Sequence, residues 1–147
     1  MKDELCKFSV IDSTLNEIFS ICDIITIHAG LTEETRNLIN KEHFSIMRDG
    51  VILINTARGP IINVEDLLRF LPDKKPYLLF DVFDEEPIPH NYPLINYDRA
   101  VLTPHIAGPS DDALFKLGEA SLKGIESFLK GRPLKGLLTK EKALRAT

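Results

Sequence analysis

The run Val51-Ile52-Leu53-Ile54 narrows most sharply what this chain can fold into. Apolar, mostly β-branched residues stand in a row with no polar alternation, the pattern of a short strand in a parallel sheet covered on both faces. Asp49-Gly50 supplies the turn into it. At its carboxyl end the sequence changes abruptly to Asn55-Thr56-Ala57-Arg58-Gly59-Pro60. In open α/β sheets ligands gather at the carboxyl ends of strands, which places Arg58 where a ligand would lie. Its planar fork suits a carboxylate or phosphate gripped through two parallel hydrogen bonds, and Gly59 lets backbone come close beside it. The competing reading is a surface arginine that caps a helix.

Further runs repeat the pattern. Ile24–Ile27 ends in His28-Ala29-Gly30, and Ala100-Val101-Leu102 ends in Thr103-Pro104-His105. Tyr77–Phe80 passes through Asp81-Val82-Phe83 into the acidic, proline-locked segment Asp84-Glu85-Glu86-Pro87-Ile88-Pro89. Phe8-Ser9-Val10-Ile11 reads as a short edge piece.

Between the runs lie helix signals. Thr14-Leu15-Asn16-Glu17 has the form of a capping box and opens a helix to about Ser20 that buries Leu15, Ile18 and Phe19. Thr32 caps a single turn over 33–36. Asn40 caps a helix over 41–47 with Phe44 and Met47 inward. Asn63 caps a helix over 64–71 that Pro72 stops. Ser110 caps the longest helix, 111–130, whose Leu114, Leu117, Leu122, Ile125, Phe128 and Leu129 follow helical spacing, and Gly131 and Pro133 end it. Strands alternating with helices predict a parallel sheet with right-handed crossovers and every polar tip on one edge.

Composition bears on partners and compartment. A length of 147 residues is enough for one domain with a core. A net charge of −4 with no long basic run speaks against nucleic acid as the main partner. The longest apolar runs are far below a membrane span, and no signal peptide is visible. Cys6 and Cys22 form no close metal or redox pair, so no metal site is expected, and a reduced, cytoplasmic compartment fits.

Arg58, Glu86 and His105 make a candidate catalytic set. A histidine takes and returns a proton near neutral pH. A carboxylate beside it fixes the ring and favours the imidazolium, and an arginine holds an anionic substrate group. Together they suit oxidation of a hydroxyl beside a carboxylate. Each residue has a plainer reading: His105 as a loop residue satisfied by backbone, Glu86 as a solvated turn carboxylate with Glu85 its competitor, and Arg58 as the structural partner of Asp84 or Glu85.

The segments Asn55-Thr56-Ala57-Arg58-Gly59, Asp81-Val82-Phe83-Asp84-Glu85-Glu86-Pro87 and Leu102-Thr103-Pro104-His105-Ile106-Ala107-Gly108 resemble, in order and spacing, the signature segments of the D-isomer-specific 2-hydroxyacid dehydrogenases. His28 with Thr32, Thr35, Leu38 and Ile39 resembles the segment after that family's fourth strand. The resemblance runs from about Thr14 to Pro133. It implies that Arg58 binds substrate carboxylate, that His105 is the acid/base and that Glu86 supports it. It places His28, Thr56, Ala57, Arg58, Asp81, His105, Ala107 and Gly108 against NAD, with NADP left open, and implies a small 2-hydroxy or 2-keto acid as substrate.

The chain departs from the family in several respects. It has no Gly-x-Gly-x-x-Gly, no acidic residue to hold the adenosine ribose, and no separate substrate domain. The expected architecture is therefore α/β, the second half of a Rossmann-type doubly wound parallel sheet with flanking helices. Residues 1–133 would form a partial NAD-binding domain and 134–147 a C-terminal tail. On this reading the chain is a fragment of an oxidoreductase, inactive alone. It would form a homo-oligomer or associate with a missing N-terminal half, because the strand that should pair with that half presents an open edge. The alternatives are a non-catalytic NAD-sensing or interaction module and an inactive remnant. Gly30, where the family usually has proline, is expected to loosen the loop after His28.

Overall fold

The computed structural model describes residues 10–108 and 110–143. Helix α1 (Leu15–Ile21) opens on the capping box that its sequence predicts: the Glu17 N–H donates to Thr14 Oγ1 at 3.3 Å, and the Thr14 N–H donates to Glu17 Oε2 at 2.7 Å. There follow strand β1 (Ile24–Ile27), helix α2 (Lys41–Ile46), β2 (Ile52–Asn55), a 3₁₀ turn (Gly59–Ile61), α3 (Val64–Lys74), β3 (Tyr77–Phe80), β4 (Ala100–Leu102), α4 (Asp111–Leu129) and the short α5 (Lys140–Ala143).

The strands form one sheet in the order β1-β2-β3-β4, with every neighbouring pair parallel. Ile27 lies level with Asn55, Asn55 with Phe80, and Phe80 with Leu102. The chain therefore leaves all the strands on one edge, carrying His28, Arg58, Asp81 and His105 there.

Helices α1, α2 and α3 pack in succession and cover one face of the sheet. Phe19, Phe44 and Leu67 from these helices, with Leu53 and Leu78 from the strands, are wholly buried in a single cluster. Each such side chain stabilises the fold by about 1.5–3 kcal/mol. Phe19 meets Phe44 edge to face with ring centroids 6.4 Å apart.

The expectation of strands covered on both faces is corrected. Burial alternates along β1 and β3, and Ile24, Tyr77, Leu79 and Val101 are exposed on the other face. No residue of α4 is buried, so the longest helix does not cover that face. Apolar residues on both sides of a strand show that both faces are apolar, not that both are covered.

Pro72 does not stop α3, which runs to Lys74. Proline there forfeits only its own N–H, while the Lys75 N–H still reaches the Leu71 carbonyl at 3.0 Å and Lys75 takes the left-handed conformation that ends the helix (φ 46°). Ser110 occupies the cap position of α4, but its side chain makes no capping bond. Of the proposed edge piece, Phe8 and Ser9 lie outside the described residues, and Val10 and Ile11 are exposed and in no strand. The loop after His28 is tied rather than loose: Thr35 Oγ1 donates to the Gly30 carbonyl at 2.8 Å and accepts from the Thr32 N–H at 2.7 Å.

Candidate active site

Asn55 closes β2 and is fully buried. A buried amide must find partners, and this one takes them from the loop it precedes. Its Nδ2 donates to the Arg58 carbonyl at 3.0 Å, and its Oδ1 accepts the Ala57 N–H at 3.1 Å. The turn carrying Thr56, Ala57 and Arg58 is thereby wound back onto the strand end. Arg58 itself is exposed, with Nη1 donating to the Ala57 carbonyl at 2.7 Å. It makes no ion pair with Asp84 or Glu85.

Asp81 plays the same part at the end of β3. It is 4% exposed, and its carboxylate accepts the Thr103 hydroxyl together with the Ile106 and Ala107 N–H groups, both at 2.9 Å. Burial alone would push its pKa up. The bonds from Thr103, Ala107 and Ile106, with the field of His105, outweigh burial and hold it below the ordinary aspartate value. A charged Asp81 thus pins the loop that follows β4 to the loop that follows β3.

On that pinned loop stands His105, in the left-handed region (φ 54°) that a side chain with a Cβ rarely adopts. Its Nδ1 lies 2.8 Å from Glu86 Oε2, while Glu86 Oε1 accepts the Phe83 N–H at 2.9 Å. The hydrogen bond with His105, then that from Phe83, and more weakly the charges of His105 and Arg58 hold the Glu86 carboxyl below its ordinary value. Glu86 rather than Glu85 therefore meets the histidine, and Arg58 stands close enough for its charge to be felt there.

Two cavities meet at His105. One, of about 360 Å³, is lined by Thr56, Arg58, Asp81, His105, Ala107 and Gly108. The other, of about 570 Å³, is lined by Phe83, Glu86, Pro87, Ile88, Pro104 and His105. The structure thus brings together most of the residues singled out from sequence. It leaves two aside. Ala57 packs partly buried against the core, and His28 stands at the tip of β1 with Nε2 2.9 Å from Thr26 Oγ1. The supporting residues Asn55 and Thr103 were missed. The available signal was a polar residue closing an apolar strand, as Asn55 does, or following one directly, as Thr103 does.

The family model described as D-isomer specific 2-hydroxyacid dehydrogenase, NAD binding domain, matches residues 2–107. A glyoxylate reductase of Thermofilum pendens is 38% identical over 92% of this chain and 39% of its own length. A hydroxypyruvate reductase of Blautia hydrogenotrophica is 34% identical over 91% of this chain and 41% of its own. The crystal structure of a D-lactate dehydrogenase from Aquifex aeolicus, complexed with NAD and lactic acid, superposes with a TM-score of 0.76 at 31% identity, over 89% of this chain and 40% of that one. The chain spans about two fifths of the length of the relatives it matches. Its parallel sheet and flanking helices are of Rossmann type, and the chain belongs to the D-isomer specific 2-hydroxyacid dehydrogenases, within their NAD-binding domain.

Proposed function

We propose that this chain supplies the catalytic edge of an enzyme that transfers a hydride between a small 2-hydroxy acid and NAD or NADP. The observation that carries the reading is the Glu86–His105 pair, 2.8 Å apart, whose histidine stands on the wall of the cavity that Arg58 and Asp81 also line. In this reading His105 Nε2 takes the proton of the substrate hydroxyl in oxidation and returns it in reduction. Glu86 holds Nδ1 and so fixes which ring nitrogen faces the substrate. Arg58 binds the substrate carboxylate, for which its guanidinium has five N–H donors in a fixed fork.

The residues present suit one end of the cofactor. Thr56 is exposed, Asp81 is anchored, and among the described residues other than its chain neighbours nothing lies within 4 Å of where a Cβ on Gly108 would stand, so the cavity has polar groups on its wall and room for a flat carboxamide-bearing ring. When bound, that ring supplies the hydride acceptor. Ala57 and His28 belong to the cofactor contacts in this reading through their neighbours on the strand tips. The pyrophosphate end finds no such fit. It is ordinarily held by glycine-rich backbone at a helix N-terminus, and the 147 residues contain no Gly-x-Gly-x-x-Gly. Turnover therefore requires that loop from outside these residues. The partial domain of residues 1–133, its tail over 134–147 and a cytoplasmic setting belong to the same reading.

Among the described residues β1 has a neighbour on one side only and one apolar face is uncovered, and both features favour association, with a second copy or with the segment that carries the glycine loop. Among the described residues no helix is long and apolar enough to cross a membrane.

The test is NADH consumption with glyoxylate, hydroxypyruvate and pyruvate, by the chain alone and mixed with a polypeptide carrying the glycine loop of a relative. The mixture should turn over and the chain alone should not. Turnover that survives His105→Ala would sink the reading.

A further inference from the structure

Gly59 stands at a crossing of the two loops that carry the site. It is buried at the start of the 3₁₀ turn, directly after Arg58. A Cβ on it would overlap the carbonyl carbon and oxygen of Phe83 and the amide nitrogen of Asp84. These are backbone atoms, which cannot swing aside as the end of a long side chain can. Phe83 cannot retreat cheaply either: its ring is 4% exposed and meets Tyr92 edge on, with centroids 5.4 Å apart. The Phe83 N–H, on the same residue, donates to Glu86 at 2.9 Å, and Glu86 holds His105. On the other side of the crossing, the Arg58 carbonyl is tied to Asn55.

We propose that Gly59 is a positioning residue, whose bare Cα against the Phe83–Asp84 peptide fixes the Arg58 loop relative to the Glu86–His105 pair. The proposal rests on the functional reading above for the meaning of those groups, but the coupling is a property of the fold. The loops also touch at the strand ends, where the Asp81 N–H donates to the Asn55 carbonyl at 3.0 Å. The Gly59 crossing supplies a second contact between the two loops and sets the angle between them. Displacements of about 1 Å in such geometry cost on the order of a hundredfold in rate, so small shifts here matter.

The test is made on the full chain with Gly59→Ala. No positive φ is involved, so any effect comes from the added methyl group. The His105 ring nitrogens and the Glu86 carboxyl are followed by NMR as a function of pH. The expected result is a change in the ring nitrogen signals, as the Nδ1 partner is lost, and a Glu86 titration that moves up towards its ordinary value. A protein whose melting temperature falls while both signals stay as in the unmodified chain would overturn the proposal, because that is what a merely structural glycine does. If Gly59→Ala does not fold, coupling is read in the other direction, since it must be reciprocal. Glu86→Ala should then shift the backbone amide signals of Arg58 and Gly59, and unmoved signals would overturn the proposal. Neither arm needs cofactor or substrate, so a failure of turnover would count against the functional reading and leave this coupling standing.

Discussion

The carboxyl edge of the sheet and its uncovered face are built from the same four strands and are opposite in character. At the edge, Asn55 and Asp81 are buried polar groups with hydrogen-bond partners in neighbouring loops. On the open face Ile24, Tyr77, Leu79 and Val101 lie in solvent, and α4 presents Phe115, Leu122, Phe128 and Leu129 with none of its residues buried. The contrast teaches where this chain is self-sufficient. Satisfying a buried polar group needs partners at about 2.7–3.2 Å, and the chain brings its own. Covering an apolar face needs area, and the described residues do not supply it.

The sharpest test of the contrast compares two phenylalanines. Phe44→Ala in the covered cluster should lower stability by about 3–5 kcal/mol, while Phe115→Ala, at a side chain 73% exposed, should change it by less than about 0.5 kcal/mol. Urea midpoints with unchanged slopes measure both. Equal losses would mean that α4 is packed after all.

Next in size is the edge itself. Arg58→Lys keeps the charge and removes the fork, and should cost about 1.5–3 kcal/mol of kcat/KM in the mixture that turns over. If it matched the unmodified protein, Arg58 would not be the carboxylate clamp.

Asp81 sharpens the comparison through pH. Its folded-state value lies below the ordinary one, so its contribution is present above the unfolded value, near pH 4, and is lost as pH falls through the folded value. Asp81→Asn should therefore be less stable than the unmodified chain at pH 7, by roughly 1–3 kcal/mol for the bonds weakened. The gap should close in acid, as followed by thermal melts between pH 7 and pH 2. A gap independent of pH would show that the charge is not what pins the loops.

The smallest effect belongs to the exposed helix. Lys116→Ala removes an ion pair with Asp112 at 3.6 Å in which both side chains are largely exposed, and should shift stability by no more than about 0.5 kcal/mol. A larger loss would again point to a covered α4.

Sequence alone determined the strands, most caps and the order of the tips, because each depends on residues within a few positions of one another. Thr14 and Glu17 meet across one helical turn wherever the helix goes. The run at 51–54 is extended whatever lies above it, although the strand itself begins one residue later, at Ile52. The identities at the tips, Arg58, Glu86 and His105, were legible for the same reason, helped by their likeness to a known pattern. Tertiary structure decided the rest. Glu86 and not Glu85 reaches His105 because the Phe83 N–H turns that carboxylate towards a loop nineteen residues on. Asp81 is charged because its donors arrive from residues 103, 106 and 107. Gly59 is required because the Phe83–Asp84 backbone crosses it. Which face of the sheet is covered was also beyond reach of the sequence, since apolar residues on both sides of a strand specify what wants burial and only the packing of α1, α2 and α3 specifies what receives it.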